Sequence, residues 1–506
     1  MNKDKQNGTT SPFLLFLKQN ETYTPDCIGE IIDIVKPYFG YSRDKNIVYY
    51  NIPCAFDIET SSFYDGSEKR AIMYEWTFGI FGIIIIGRTW GEWVTMMDTI
   101  SKKLRLNDTF RLLCYCHNLA YEFQWFRKWI GINMVFATDV RKPLYVLCDN
   151  GIEFRCSYLL SGYSLETLAK NITSVKIRKL TGDLDYSLIR HSETPLTKAE
   201  LKYCINDVKI VMAYIWERIT SDGGIGKIPL TKTGFVRRYC RKNCFAEENR
   251  IQFVNTIREL TLTNDEYEQN RRAFQGGFTH CNPFFSGKEV QDVTSFDFTS
   301  SYPFCMVAEQ YPMSAGEIIE IPDGDTEMFE RYLSCYCCIF DLEIFDLESL
   351  LLYESYISLS HCWEVEKAKV DNGRLVSAQH LMTTVTNVDF DLIRKFYTWK
   401  KIRVYNFRTY VREYLPTPFV KSILDLYKAK TELKGVIGRE AEYAEAKEKL
   451  NSCYGMTVTS IIRIDYEYDG TKEQWNDPHI KTTDERIQKI NDYNADHGRF
   501  LYYPWG

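Results

Sequence analysis

Acidic side chains seldom enter apolar runs, yet this chain places them there at three separated points. In CAFDIETSS, Asp57 and Glu59 follow an apolar stretch at i and i+2, so a strand would project both from one face. In CHNLAYEFQ, Asn118 and Glu122 stand at i and i+4, and in YCINDVKIV Tyr203 and Asp207 repeat that interval; each pair is one helical turn apart. A fold that accommodates all three must gather one strand and two helices around four acids and a phenol. Hydrolysis of a phosphodiester with two divalent ions needs such a convergence, and magnesium or manganese favours its all-oxygen character. A phenol beside the ions can position the attacking water. Taken singly, each pair reads as a solvated strand end or helix face. The three in this order, each in an apolar setting, point to a site.

A second set lies downstream. FDFTSSYP presents Asp297, and the run from Lys447 to Gly455 sets Lys447, Asn451 and Tyr454 at i, i+4 and i+7, one face of a helix. Such a face can offer an ammonium to phosphates and an amide and ring to a base pair. The bland reading is an amphipathic helix end with Gly455 as its cap. Gln275-Gly276-Gly277 adds two glycines, which let backbone approach a ligand closely.

The two sets together resemble the motifs of family-B DNA polymerases, in particular the protein-primed polymerases of small tailed phages and linear plasmids. The resemblance runs from about residue 46 to the end. It implies that Asp57, Glu59, Glu122 and Asp207 are metal ligands of a 3'→5' exonuclease and that Tyr203 orients the water. Thr60, Asn118, Tyr121, Ser164 and Leu165 would contact a single-stranded 3' end. Asp297 would be a metal ligand of the polymerase site, at a strand end beneath the triphosphate, with Tyr302 under the incoming sugar to reject a 2'-hydroxyl. Lys447, Asn451 and Tyr454 would bind the nucleotide, while Gly276, Gly277, Lys428 and Lys430 would contact DNA. Each site would use two magnesium (or manganese) ions. The chain departs from the family pattern in four places: Glu122 replaces an aspartate, Ser301 a leucine and Phe274 a tyrosine, and Thr181 stands near an expected lysine. Lys179, two residues earlier, is the candidate substitute.

A chain of 506 residues is too long for one core. The fold class expected is α/β multidomain: a ribonuclease-H-like exonuclease domain followed by an α+β palm and fingers domain. Residues 1–45 read as an extension, 46–225 as the exonuclease and 226–303 as the start of the palm. Residues 304–400 read as an insertion contacting priming protein and DNA, which VTNVDFDLI also suggests. Residues 401–456 complete the palm and fingers, and 457–506 form a second insertion and a truncated palm. The run Asp222–Gly226 reads as a flexible joint. FGIFGIIIIG is too short to span a bilayer and reads as one buried central strand within MYEWTFGIFGIIIIG, with IVYYNIPCAFDIE as a neighbouring strand. Sixteen cysteines are too dilute for a disulfide scaffold, which suggests thiols in a cytoplasm. The net charge of -6 leaves nucleic-acid binding to local basic patches.

No Tyr-x-Asp-Thr-Asp segment, the family's second catalytic palm motif, follows Gly455, and the thumb is expected to be missing as well. A split gene, an intein or intron, and a truncated reading frame are three expectations for that pattern. The expected partners are DNA template and primer, deoxynucleoside triphosphates, a terminal priming protein and a second polypeptide carrying the missing motif, with no membrane. This chain alone is expected to be exonuclease-competent and deficient in polymerisation. The alternatives are a stand-alone nuclease with a DNA-binding second half, and a non-catalytic subunit of a split polymerase.

Overall fold

The computed structural model describes residues 11–19, 21–180, 188–282, 284–458, 460 and 462–495. They belong to two compact units: Met1–Phe235 with Lys430–Ala446 and Ile464–Ile480, and Val236–Ala429 with Lys447–Arg463 and Lys481–Gly506. No described helix is long and apolar enough to cross a membrane.

The first unit is a mixed sheet flanked by helices. Helix α1 (Pro12–Lys18), strand β1 (Thr22–Tyr23) and α2 (Ile28–Val35) precede β2 (Tyr41–Asp44) and β3 (Ile47–Tyr50). Then come β4 (Cys54–Asp65), β5 (Glu68–Ile80) and β6 (Ile83–Gly87), an antiparallel meander. After α3 (Trp90–Leu104) follow β7 (Phe110–Cys116), α4 (Leu119–Phe126), β8 (Ile132–Ala137), β9 (Pro143–Cys148) and β10 (Ile152–Cys156). Helices α5 (Ser157–Ser161), α6 (Leu165–Asn171) and α7 (Lys198–Asp222) end the run. The strand order is β1-β6-β5-β4-β7-β10-β9-β8, with β3 also beside β7. Phe56, Trp76, Trp93, Phe126 and Phe154 fill the interior.

Four expectations change here. The apolar run is a hairpin: Phe81 and Gly82 take φ of 48° and 92°, the two positive values that a tight two-residue turn requires. It carries no polar residue because Gly82 packs on α1, where a Cβ would lie 2.7 Å from the Leu17 nitrogen. The IVYYNIPCAFDIE stretch likewise breaks into β3 and β4. Residues 12–44, expected as an extension, contribute Phe13, Leu17, Ile28, Ile31, Ile32 and Val35 to the core, and β1 pairs with β6. The glycine run caps α7 through Gly223 (φ 79°), and the following Ile225 is fully buried, so the unit boundary falls after Phe235.

The second unit begins along α8 (Lys232–Cys244) and continues through α9 (Arg250–Glu259), α10 (Asn264–Ala273) and α11 (Ser301–Ala308). Short β11 (Tyr311–Pro312) and β12 (Glu317–Ile318) lead to α12 (Thr326–Cys335), β13 (Cys337–Ser349), β14 (Cys362–Glu366), β15 (Lys369–Asp371) and β16 (Arg374–Thr386). Then follow α13 (Asn387–Phe396), β17 (Tyr397–Thr398), β18 (Lys401–Tyr410) and β19 (Arg412–Glu413). Its main sheet runs β12-β18-β13-β16-β14, antiparallel throughout, over a core of Phe329, Phe340, Phe390 and Phe407. VTNVDFDLI is where β16 turns into α13: the Thr386 hydroxyl caps Asp389 N and the Asp389 carboxylate accepts from Thr386 N, a reciprocal cap. The remaining helices and strands are α14 (Thr417–Leu433), α15 (Glu440–Thr457), β20 (Tyr468–Asp469), β21 (Gln474–Trp475) and α16 (Thr483–Ala495).

Candidate active site

The three acidic pairs of the first unit land on the elements their spacing calls for. Asp57 and Glu59 lie on β4, Glu122 on the first turn of α4 with Asn118 at its N-cap, and Tyr203 and Asp207 on α7. Helix α7 starts at a capping box between Thr197 and Glu200 and packs across β4 and β5. That packing delivers Asp207 to the strand: ligand atoms of Asp57, Glu59 and Asp207 lie within 4.8 Å of one another. Glu122 is 3 % exposed and close enough to Asp57 for their charges to repel.

The electrostatics follow from gathering like charges out of water. Burial, then the Asp207 charge, pushes Asp57 up to about 7. Burial, then Asp57, pushes Glu59 up to about 9. Burial raises Glu122 well above the usual carboxylate range. Burial also carries Asp207 to about 6, against the pull of Lys179. Lys179 forms an ion pair with Asp207, and its ammonium sits 3.9 Å from the centre of the Tyr203 ring. It therefore holds the acid and the phenol of α7 at once. Thr181 and the rest of residues 181–187 lie outside the described residues.

The sequence named Lys179 only as a substitute for an expected lysine, and its pairing with both Asp207 and Tyr203 is what the fold adds. One participant escaped the sequence reading: Glu75 on β5, cross-strand partner of Glu59, 1 % exposed and pushed by burial up to about 8. A signal existed, since Glu75 interrupts the apolar MYEWTFG, but only the register puts it beside Glu59. Three of these acids keep an oxygen with no hydrogen-bond partner: Glu75 Oε2, Glu122 Oε2 and Asp207 Oδ1. Buried acceptors without donors are costly, and a divalent cation answers that need with the hard oxygen ligands it prefers. The donor set fits magnesium or manganese.

Near the cluster, the Thr60 and Tyr121 hydroxyls are 2.5 Å apart, which joins two of the expected strand-contact residues. Ser164 caps α6 by accepting from Thr167 N, and Leu165 opens that helix.

In the second unit, Lys447, Asn451 and Tyr454 share the outward face of α15, while Leu450, Cys453 and Met456 are buried. The helix runs on to Thr457, so Gly455 is no cap. The Tyr454 ring stacks on Tyr302 of α11 at 4.7 Å and 25°. A Cβ on Gly277 would lie 3.0 Å from the Tyr302 hydroxyl, so Gly277, Tyr302 and Tyr454 come together, and Gly276 beside them is exposed. Lys428 and Lys430 lie on α14.

Asp297 is the exception. The segment VTSFDFTSSYP was expected to be β-like with the acid at a strand end, but no strand is formed there and its last residues open α11. Asp297 is exposed, flanked by Phe296 and Phe298 at 93 % and 86 % exposure. A strand needs partners for its backbone groups, and none of the described strands pairs with this segment. Among the described residues, the metal-capable acid group is Asp57, Glu59 and Asp207, without Asp297.

Comparisons with known proteins agree in kind. Residues 61–500 match the family described as DNA polymerase type B, organellar and viral. The DNA polymerase of Bacillus phage B103 is 25 % identical over 277 residues, 53 % of this chain and 42 % of that protein. That of Bacillus phage Nf is 24 % identical over 370 residues, 67 % of this chain and 58 % of the relative. The matched stretches thus span about half the length of these curated relatives. Among solved structures, phi29 DNA polymerase complexed with primer-template DNA and incoming nucleotide superposes with a TM-score of 0.60 at 16 % identity, over 88 % of this chain and 77 % of that one. The binary primer-template complex gives 0.61. The fold is shared.

Proposed function

This chain belongs to the type-B DNA polymerases of organelles and viruses, and on that footing we propose that it carries the 3'→5' exonuclease and part of the polymerase site of a protein-primed replicative enzyme. The observation that carries the proposal is the buried cluster of Asp57, Glu59 and Asp207 with Glu122 beside it. These four acids would hold two divalent ions, which when bound supply an activated water and charge stabilisation at the scissile phosphate. Tyr203, fixed from its ring face by Lys179, orients that water. Thr60, Asn118, Tyr121, Ser164 and Leu165 receive the primer end. The described residues of the first unit carry the ribonuclease-H-like exonuclease in this reading.

For polymerisation, Tyr302, Lys447, Asn451 and Tyr454 form the nucleotide side, Gly276, Gly277, Lys428 and Lys430 the DNA side, and Asp297 contributes one metal ligand. The proposed substrates are primer-template DNA and deoxynucleoside triphosphates, with a terminal protein as primer. Residues 1–506 alone are proposed to shorten primers and to need a second palm aspartate for extension. A second reading, a nuclease whose other half grips DNA, is favoured by one observation: Asp297 lies on an exposed segment, and among the described residues no acid is grouped with it.

The test is a labelled primer on a template with magnesium and all four deoxynucleotides. Shortening that disappears in Asp57→Ala supports the exonuclease. Extension by these residues alone would overturn the account of the palm, and no change in primer length would overturn both readings.

A further inference from the structure

One buried carboxylate has no part in the proposed chemistry. Glu75 faces Glu59 directly across the β4–β5 pair, so the two side chains share a face of the sheet, the face that carries Asp57 and Thr77 one step along. Its Oε1 accepts a 2.5 Å hydrogen bond from the Thr77 hydroxyl. Its Oε2 has no partner, and the residue is 99 % enclosed, with 1 % of its surface exposed. Buried acceptors usually find a donor; this one is held by one oxygen and leaves the other unpartnered, with the residue close enough to Glu59 for their charges to repel.

We infer that Glu75 is a positioning residue of the divalent-cation centre, a fifth carboxylate that acts through Glu59 to tighten cation binding. The inference rests on the proposed reading of the cluster as a two-ion site. Groups behind a ligand tune a metal centre by orienting that ligand and setting its basicity, and a buried carboxylate cross-strand from Glu59 can do both.

The experiment is a manganese titration of the cation-free full chain at pH 8, followed by thermal stability and by the electron-spin signal of free Mn2+. The wild type is expected to gain stability as Mn2+ binds. Glu75→Gln is expected to melt at the same temperature or higher without the ion, because a like charge is gone, while its Mn2+ midpoint rises about 10-fold. Thr77→Val, which frees the clamped oxygen, should shift the midpoint the same way by less. Glu75→Asp should keep it near wild type. If Glu75→Gln titrates like wild type, or only loses cation-free stability with the midpoint unmoved, Glu75 is structural and the inference is overturned. If the wild type itself ignores Mn2+, the two-ion reading fails and this inference with it.

Discussion

Stripping divalent ions from this chain and raising the pH should destabilise it steeply. A carboxylate whose folded pKa is raised keeps a proton that the unfolded chain gives up. Its contribution to stability is therefore full below about pH 4, the unfolded value, and is lost as pH climbs through the folded value. Asp57, Glu75 and Glu59 are raised to about 7, 8 and 9. At pH 7.5 they together hold about two protons in the folded chain and none in the unfolded one, and Glu122, raised by burial, adds in the same direction, so stability falls by roughly 3 kcal/mol or more per pH unit. The interval from pH 7 to 8 is well chosen. Glu153 and Glu200, both lowered, have completed their change well below it. His117, lowered by burial to about 4, has nearly done so. His380, raised first by its bond to Glu343, adds in the same direction, so the double variant Glu59→Gln/Glu75→Gln serves as the control and should flatten most of the slope. The assay is urea unfolding in chelator across this interval, repeated in saturating Mn2+, which should remove all but the His380 share of the slope because bound ions hold the acids deprotonated. A flat or rising stability in chelator would refute the reasoning, as would the same slope with Mn2+ present.

Lys179→Met should reduce exonuclease rate by about 100-fold, since the group that fixes both Asp207 and Tyr203 is lost; single-turnover primer shortening at saturating Mn2+ measures it. Glu153 is 1 % exposed and bridges Arg111 at 2.8 Å and Arg155 at 2.7 Å, so Glu153→Gln should cost about 3 kcal/mol in urea unfolding at pH 7, with the deficit shrinking as pH falls through the depressed Glu153 value. Gly82→Val meets both a φ of 92° and the Leu17 nitrogen at 2.7 Å. It should lower stability by about 2 kcal/mol or more, whereas Gly66→Ala in an open turn should cost less.

What could be read from the sequence was what depends on near neighbours along the chain. Asp57 with Glu59, and Tyr203 with Asp207, were legible because the two-residue and four-residue intervals fix the side of a strand or helix on which each lies. Lys447, Asn451 and Tyr454 were legible for the same reason. Glu75 was not, because its meaning comes from the β4–β5 register, which links residues 16 apart. The Phe81-Gly82 turn hid inside an apolar run because its surroundings are α1 rather than water. Residues 12–44 looked peripheral because their apolar positions are spread among polar ones, and only pairing with β6 and packing on α3 makes them core. Asp297 failed in the opposite way. Its segment has the composition of a strand, but a strand is a property of two segments, and composition reports on one.

That segment has a practical consequence. Phe296 and Phe298 present nearly whole aromatic rings to water, with Val290 and Val293 also outward along the same stretch. Backbone hydrogen-bonding capacity and apolar side chains offered together form a template for any extended peptide of similar character. The purified chain should bind hydrophobic dyes strongly, self-associate as its concentration rises and be retained on phenyl matrices. Its solubility will be governed by these few residues more than by its net charge, and an excess of a β-forming peptide should compete for them.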